Sequence, residues 1–205
     1  MTAPPLIHLV DDDDSLRSAL QRLLAAAGYR VKAYASAGEF LLDPPADAPG
    51  CLLLDLRMPG PSGLDLQEAL ARHDIGLPVI FLTGHGDLAT GVRAMKAGAV
   101  DFLVKPVERE PLLGAVARAL ERDGAQRAAR GADAELQARF AQLTAREREV
   151  FELVVAGRLN KQIAGALGVA ERTVKAQRAQ VMAKLGAANA AELGRIAAQL
   201  RGRGG

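Results

Sequence analysis

The first 120 residues alternate between short apolar runs and longer segments in which apolar residues recur with the period of an α-helix. Each apolar run is five or six residues long, a usual length for a β-strand. The predicted strands are LIHLV at 6–10, YRVKAY at 29–34, CLLLD at 51–55, PVIFLT at 78–83 and DFLVK at 101–105. Because a helical pattern follows each strand, this half of the chain predicts an α/β fold, in which helices cover both faces of a parallel sheet.

From Leu143 onward the pattern is helical throughout. LTARE is a capping box, with Thr144 as the N-cap and Glu147 three residues later. Two short helices joined by a tight glycine turn, the second of them basic, predict a helix-turn-helix. The predicted helices cover 145–157, 161–168, 169–186 and 190–200, the second and the last with Asn160 and Asn189 as N-caps.

The segment that joins the two halves, residues 110–142, is rich in the helix formers Ala, Arg and Glu. Gly124 and Gly131 each weaken a helix by about 1 kcal/mol relative to Ala, so a continuous helix and a hinge are both open. The pattern predicts three parts: a first domain over 1–121, a helical linker over 122–142 and an all-α domain over 143–205.

Composition adds a location and a charge asymmetry. The single cysteine, Cys51, lies in an apolar run and cannot form a disulfide within one chain, so a reducing compartment is expected. Neither a signal peptide nor an apolar run of membrane-spanning length is visible, so we expect a cytoplasmic protein with no membrane partner.

Residues 1–120 carry 11 basic and 15 acidic side chains, whereas residues 121–205 carry 15 and 9. A basic second half favours a polyanionic partner.

Chemistry-bearing side chains stand at the ends of four predicted strands. Asp11 and Asp12 follow the first, Asp55 ends the third, Thr83 ends the fourth and Lys105 ends the fifth. The carboxyl ends of parallel strands meet at one edge of a sheet, where ligands bind. Clustered carboxylates suit a hard cation such as Mg²⁺, and a carboxylate beside Mg²⁺ and a lysine can accept a phosphoryl group. We therefore interpret Asp55 as a nucleophilic phosphoryl acceptor.

Each of these residues also has an ordinary structural interpretation. A run of aspartates often begins a helix, and we assign that role to Asp13 and Asp14. A threonine at a strand end and a lysine before proline are common turn features. Their succession at consecutive strand ends favours the functional interpretation.

The motifs VDDD, DLRMPGPSG, LTGHGD and AMKAGAVDFLVKP resemble those of the receiver domain of bacterial two-component response regulators, over about 6–120. The resemblance implies a flavodoxin-like, doubly wound five-stranded sheet and phosphorylation of Asp55 by a sensor histidine kinase. It implies that the backbone carbonyl of Arg57 joins Asp11, Asp12 and Asp55 around Mg²⁺.

The same resemblance assigns a switch. Thr83 would bind a phosphoryl oxygen, Lys105 would pair with the phosphoryl group, and the Lys105–Pro106 peptide would be cis. Phe102 matches the aromatic residue that turns inward when the threonine moves, although plain core packing is an equal alternative. His85 would influence phosphate lifetime or serve only as a loop residue.

The helix over 169–186 has an apolar side and a basic side. Val174, Val181 and Leu185 recur at helical spacing and are the predicted core side, whereas Lys175, Arg178 and Lys184 are charged candidates for DNA contact. Lys175 and Arg178 share a face. A solvated basic face is the structural alternative.

Residues 143–188 resemble the LuxR-type, or NarL/FixJ-type, regulators, and the whole chain most resembles the FixJ/StyR subgroup. The resemblance implies base contacts from Lys175, Ala176 and Ala179. It implies phosphate contacts from Asn160, Lys161, Thr173 and Arg178. Gln177 stands where that family usually has histidine, so the operator sequence cannot be inferred.

The resemblance implies a transcription regulator that is switched by phosphorylation, forms a homodimer when phosphorylated, binds double-stranded promoter DNA, and is not an enzyme beyond gaining and losing its own phosphate. The main alternative is an Mg²⁺-dependent phosphatase or phosphotransferase, but Arg57 stands where those enzymes place a second aspartate. A constitutive DNA-binding protein would not need all five strand-end residues. An RNA-binding protein would need exposed aromatics, and the second half has only Phe140 and Phe151.

Overall fold

The computed structural model describes residues 4–43, 45, 48–84 and 88–202. Its first part contains a five-stranded parallel sheet with the strand order β2-β1-β3-β4-β5, which confirms the predicted α/β fold. The strands are β1 (Leu6–Val10), β2 (Arg30–Tyr34), β3 (Gly50–Asp55), β4 (Val79–Thr83) and β5 (Asp101–Val104). This is the flavodoxin-like order, which places a ligand crevice at the carboxyl ends of β1 and β3.

Helices cover both faces of this sheet. They are α1 (Asp14–Ala26), α2 (Ala37–Leu42), α3 (Gly63–Arg72), α4 (Leu88–Lys96) and α5 (Arg109–Ala141). Side chains that alternate along the strands form two cores, one including Ile7, Leu53 and Ile80 and the other including Leu52 and Phe81. All six residues of β3 and all five residues of β4 are buried. Asp55 is the last residue of β3 and therefore ends a fully buried strand.

The chain forms two compact units, over 1–128 and 129–205. The helix α5 includes both Gly124 and Gly131. Within the first unit, a buried carboxylate connects α5 to the start of β3. Asp123 Oδ2 accepts hydrogen bonds from the Gly50 backbone N–H (3.0 Å) and from Arg127 Nε (2.8 Å).

The second unit consists of helices around one apolar core. Besides the end of α5 they are α6 (Ala145–Val155), α7 (Asn160–Leu167), α8 (Glu171–Leu185) and α9 (Ala190–Arg201). Val174, Val181 and Leu185 are buried in this core, as predicted. Within the described residues, no helix is both long and apolar enough to cross a membrane.

The helix starts in this unit differ in how they are capped. Thr144 and Asn189 are N-caps whose side chains accept from the backbone N–H groups of Glu147 and Glu192, as predicted. The prediction that Asn160 caps α7 is wrong, because Asn160 is the first residue of the helix and Leu159 is the N-cap. The Asn160 side-chain oxygen instead accepts a hydrogen bond from Arg178 of α8.

Candidate phosphorylation site and DNA-binding face

Three carboxylates converge at the carboxyl edge of the sheet. Asp11 directly follows β1 and is fully buried, Asp55 ends β3 and is 5% exposed, and Asp12 is exposed. One oxygen from each lies within 4.8 Å of the others. The structure thus brings together the three side chains that the sequence predicted as metal ligands.

The ammonium of Lys105 lies between two of these carboxylates. Lys105 Nζ donates to Asp11 Oδ2 at 2.8 Å and to Asp55 Oδ2 at 2.7 Å. Lys105 follows β5, so its long side chain reaches past β4 to the ends of β3 and β1. The Lys105–Pro106 peptide is cis, which confirms the sequence prediction.

Burial and charge act against each other in this cluster. Burial raises the pKa of Asp55, and the hydrogen bonds from Lys105 and from the Arg57 backbone N–H offset this only in part. Burial alone would lower the pKa of Lys105, but Asp11 and Asp55 outweigh it and the pKa of the ammonium is raised. Lys105 therefore remains charged beside the proposed acceptor, as transfer of a phosphoryl group requires.

Thr83 lies on β4, which pairs with the strand of Asp55, and Phe102 lies on β5, which pairs with β4. Thr83 is buried at the end of β4, and its hydroxyl donates to the Gly84 backbone carbonyl at 3.3 Å. Phe102 in β5 is partly exposed and packs against the core that contains Phe81. A Cβ added to Gly91 of α4 would lie 3.4 Å from the Phe102 ring, so this glycine lets the helix approach the ring closely. His85 lies outside the described residues.

Three contacts at this site were not predicted from the sequence. Arg17 Nη1 donates to the Asp11 backbone carbonyl at 2.6 Å, and the Arg17 guanidinium also pairs with Asp14. The Arg57 backbone N–H donates to Asp55 Oδ1 at 3.1 Å. The three-residue spacing of Asp14 and Arg17 was a usable signal for their ion pair, whereas the contact with Asp11 depends on how the loop folds.

The loop before α1 is fixed by a helix cap. Asp13 Oδ1 accepts from the backbone N–H groups of Ser15 (2.9 Å) and Leu16 (3.0 Å), and Asp11 Oδ1 accepts from the Asp13 N–H at 2.9 Å. The hydrogen bonds from Leu16 and Ser15 lower the pKa of Asp13. This confirms that Asp13 and Asp14 begin the helix, and it fixes the backbone that carries Asp11 and Asp12.

The predicted DNA contacts lie on α7 and α8. Lys175, Ala176 and Ala179 are exposed on α8, and Thr173 and Arg178 are partly exposed. Arg178 Nη1 donates to Asn160 Oδ1 at 3.1 Å, and the exposed Lys161 follows Asn160, so α7 and α8 contribute to one polar surface.

The other charged candidate on α8 has a different contact. Lys184 Nζ donates to Glu147 Oε2 at 2.7 Å and to the Gln142 carbonyl at 3.3 Å. The hydrogen bond from Lys184 is also the main cause of a lowered pKa at Glu147. Lys184 therefore connects α8 to the start of α6.

Comparison with known proteins finds a matching family for each half of the chain. The family model for the response regulator receiver domain matches residues 7–117, and the model for bacterial regulatory proteins of the luxR family matches 141–197. Nodulation protein W of Bradyrhizobium diazoefficiens is 47% identical over 95% of this chain and 86% of that protein. Transcriptional regulatory protein FixJ of Azorhizobium caulinodans is 44% identical over 93% of this chain and 90% of that protein. The solved structure of response regulator StyR is 44% identical, has a TM-score of 0.82, and is matched over 96% of this chain and 100% of that one. The chain therefore belongs to the response regulators that join a receiver domain to a luxR-family DNA-binding domain, and it is a phosphorylation-controlled transcriptional regulator of a two-component system.

Proposed function

We propose that Asp55 accepts a phosphoryl group from a sensor histidine kinase and that this event controls dimerisation and promoter binding. The observation that carries the proposal is the position of Lys105 Nζ, which lies within 2.8 Å of carboxylate oxygens of both Asp11 and Asp55. A fixed ammonium at the acceptor stabilises negative charge as it develops on the transferring group.

The residues present fit a bound Mg²⁺. Three carboxylates and one ammonium leave two net negative charges on a cluster of oxygen donors, the ligand type that Mg²⁺ prefers. Asp11, Asp12 and Asp55 would hold the ion, and we assign the Arg57 carbonyl to it as well. When bound, Mg²⁺ supplies neutralisation of charge on the phosphoryl oxygens.

The protein side chains have separate tasks in the transfer. A carboxylate oxygen of Asp55 forms the new bond to phosphorus as the bond to the kinase histidine breaks. Lys105 then pairs with the phosphoryl oxygens instead of with the free carboxylate. The Thr83 hydroxyl, now bonded only weakly to Gly84, becomes a donor to a phosphoryl oxygen.

The surface of α4 and β5 is the proposed route to dimerisation. Inward movement of Thr83 leaves room for Phe102 to rotate, which changes this surface. Val92 and Met95 of α4 and Val104 of β5 are exposed large apolar side chains, 48%, 40% and 40% accessible respectively. A phosphorylated homodimer would cover them, and phosphorylation would shift the equilibrium by its preference for that packing.

For the second unit, we assign double-stranded promoter DNA to the face of α7 and α8. Lys175, Ala176 and Ala179 would reach base edges in the major groove, while Asn160, Lys161, Thr173 and Arg178 would contact phosphates. The exposure of Lys161 and Lys175 and the link between Arg178 and Asn160 support this assignment.

We further propose that the protein acts on no other substrate and that its only chemistry is the gain and loss of phosphate on Asp55. Arg57, not a second acid, stands two residues after Asp55. A location in the cytoplasm follows from its proposed DNA partner.

The test is DNA binding and solution mass with Mg²⁺ and a small phosphodonor, for the wild type and for Asp55→Asn. We expect the wild type to dimerise and to bind promoter DNA more tightly when the donor is added, whereas the variant responds to neither. An equal response of both proteins would show that Asp55 is not the switch. DNA binding by both without any response would instead indicate a constitutive DNA-binding protein.

A further inference from the structure

Arg17 is a partly buried arginine of α1 that lies beside the acidic cluster and has no task in phosphoryl transfer as described above. Its side chain is 16% exposed. Its backbone N–H donates to the Asp13 carbonyl at 2.9 Å, which places Arg17 at the end of the first turn of α1. Because side chains on a helix lean toward its N-terminus, the guanidinium reaches back to the loop before α1.

The guanidinium has two partners. Its Nη1 donates to the Asp11 backbone carbonyl at 2.6 Å, and its Nη2 pairs with the Asp14 carboxylate. The planar fork of a guanidinium holds two acceptors in a fixed geometry, which the ammonium of a lysine does not. The Asp14 side chain is 89% exposed, so that ion pair alone contributes little to stability. The contact with Asp11 is therefore the one with a consequence for the site.

The Asp11 carbonyl belongs to the peptide that joins two proposed metal ligands, Asp11 and Asp12. The strand β1 ends at Val10, so this peptide lies beyond the last residue of the strand. A peptide unit is planar, so fixing its oxygen also fixes the direction in which the chain enters Asp12. The Asp11 side chain is held by other groups, Oδ1 by the Asp13 N–H and Oδ2 by Lys105. Arg17 thus adds a backbone contact that orients Asp12 relative to Asp11.

Helix stability does not account for a cation at this position. The N-terminus of a helix carries partial positive charge and favours acidic side chains, which Asp13 and Asp14 supply at α1. The charge of Arg17 is unfavourable there, and it also opposes a cation bound at the neighbouring carboxylates. Both effects act against an arginine here, which favours a role for its hydrogen bond to the loop.

We propose that Arg17 is a positioning residue for the Mg²⁺ site, because it holds the Asp11–Asp12 peptide so that both carboxylates face the same point as Asp55. This inference rests on the proposed function, in which these three residues hold the ion. One oxygen of each lies within 4.8 Å of the others. Groups that orient metal ligands through hydrogen bonds contribute about 10- to 100-fold to metal affinity. Arg17 acts through the backbone of Asp11 and is not itself a ligand.

The test is titration of the full chain with MgCl₂ at constant ionic strength, followed by amide NMR, for the wild type, Arg17→Met and Arg17→Lys. Arg17→Met removes the hydrogen bonds and the charge, and we expect it to bind Mg²⁺ about tenfold more weakly. Loss of charge repulsion alone would have the opposite sign and tighten binding. Arg17→Lys keeps the charge but not the fork, so it should also bind more weakly than the wild type, by a smaller factor.

Arg22→Met is the matched control. It removes the same charge from an exposed position of α1, where Arg22 Nε donates only to the Ser18 carbonyl of its own helix at 3.3 Å. Its Mg²⁺ affinity should stay near that of the wild type. In Mg²⁺-free protein, the Asp13 N–H, which donates to Asp11 Oδ1, should exchange with solvent faster in Arg17→Met and at the wild-type rate in Arg22→Met.

Phosphorylation by a small phosphodonor over a series of Mg²⁺ concentrations separates positioning from a loss of folded protein. Arg17→Met should need about tenfold more Mg²⁺ for its half-maximal rate and should approach the wild-type rate at saturation. A general structural defect would lower the rate at saturation as well, and that result would overturn the inference. The amide spectra show which variants are folded, and Arg17→Lys decides the question if Arg17→Met is not.

Two kinds of failure are distinguishable. If either folded Arg17 variant binds Mg²⁺ as tightly as the wild type or more tightly, the inference is overturned while the proposed Mg²⁺ site stands. If the wild type itself shows no Mg²⁺-dependent shifts at Asp11, Asp12 and Asp55, the proposed metal site is wrong and the role of Arg17 is overturned with it.

Discussion

His8 is a buried histidine in the middle of β1 whose ring is surrounded by aromatic neighbours. It lies 3% exposed, its Nδ1 is 3.1 Å from the Tyr34 hydroxyl, and its ring stacks on Tyr34 and meets the edge of Phe40. Tyr34 in turn donates to Asp43. Burial, aided by the charge of Lys32, lowers the pKa of His8 from 6.5 to about 4, so the native state keeps this ring neutral.

This shift predicts a loss of stability in mild acid. The unfolded chain binds a proton at His8 near pH 6.5 and the native chain near pH 4, so the unfolded state holds more protons between these values and stability falls as the pH falls. From pH 7 to pH 5 we expect the wild type to lose about 1 to 2 kcal/mol more than His8→Phe, which keeps a ring but cannot titrate. Urea unfolding of both proteins at the two pH values measures this difference, and parallel losses would contradict it.

Gly63 is the first residue of α3 and allows the helix to begin beside the proposed phosphoryl acceptor. A Cβ at this position would lie 2.4 Å from the Asp55 carbonyl oxygen and 3.0 Å from Phe81 Cε1. We expect Gly63→Ala to destabilise the receiver by about 1 to 3 kcal/mol, as overpacked cores do, and to slow phosphorylation because the backbone of Asp55 must move.

Gly38 provides the control for this substitution. It lies in the first turn of α2, and a Cβ there would approach nothing closer than Ser36 Oγ at 3.8 Å. Gly38→Ala should therefore be neutral or slightly stabilising, since Ala favours helix. Urea unfolding and phosphodonor labelling of the two variants compare them, and equal behaviour would show that the contact at Gly63 is not tight.

At the scale of secondary structure, the sequence predicted all five strands of the sheet and the capped starts of α6 and α9. Alternating apolar runs located the sheet, and the capping residues Thr144 and Asn189 located α6 and α9, because periodicity and capping act over a few residues. The convergence of Asp11, Asp55 and Lys105 followed from parallel strand ends. The buried role of Asp123 was not predictable, because its partner Gly50 is 73 residues away and a charged residue in a helical pattern suggests a solvated face.

The start of α7 shows where local reasoning failed and suggests a stabilising change. Asn160 is the better capping residue by type, but its side chain accepts from Arg178, and the N-cap is Leu159, which has no side-chain acceptor and is 68% exposed. Leu159→Ser places a hydroxyl at the cap and removes little packing. We expect it to stabilise the second unit by about 1 kcal/mol.

Amide hydrogen exchange in α7 and α8 measures this gain within the second unit. Leu159→Ala supplies no acceptor and serves as the matched control, so it should leave the exchange rates near those of the wild type. If the serine and alanine variants behave alike, the missing cap does not limit the stability of α7.

For the whole molecule, charge is divided between the two compact units. Residues 1–128 carry 13 basic and 17 acidic side chains, whereas residues 129–205 carry 13 and 7. The acidic surplus of the first unit includes the cluster of Asp11, Asp12 and Asp55, and the basic surplus of the second includes the face of α7 and α8. The charge division therefore agrees with the proposed roles of the two units, binding of a cation by the first and of polyanionic DNA by the second.

The basic surplus makes DNA binding depend on salt, and single lysines can be assigned to that dependence. Lys161 is exposed at the start of α7, so Lys161→Gln should weaken binding to specific and non-specific DNA alike and reduce the slope of log affinity against log salt by about 0.9. Lys184→Gln removes the same charge from a side chain already bonded to Glu147, so it should leave the slope unchanged. Fluorescence anisotropy over a salt series measures both slopes. A reduced slope for Lys184→Gln but not for Lys161→Gln would place the DNA on a different face of the second unit.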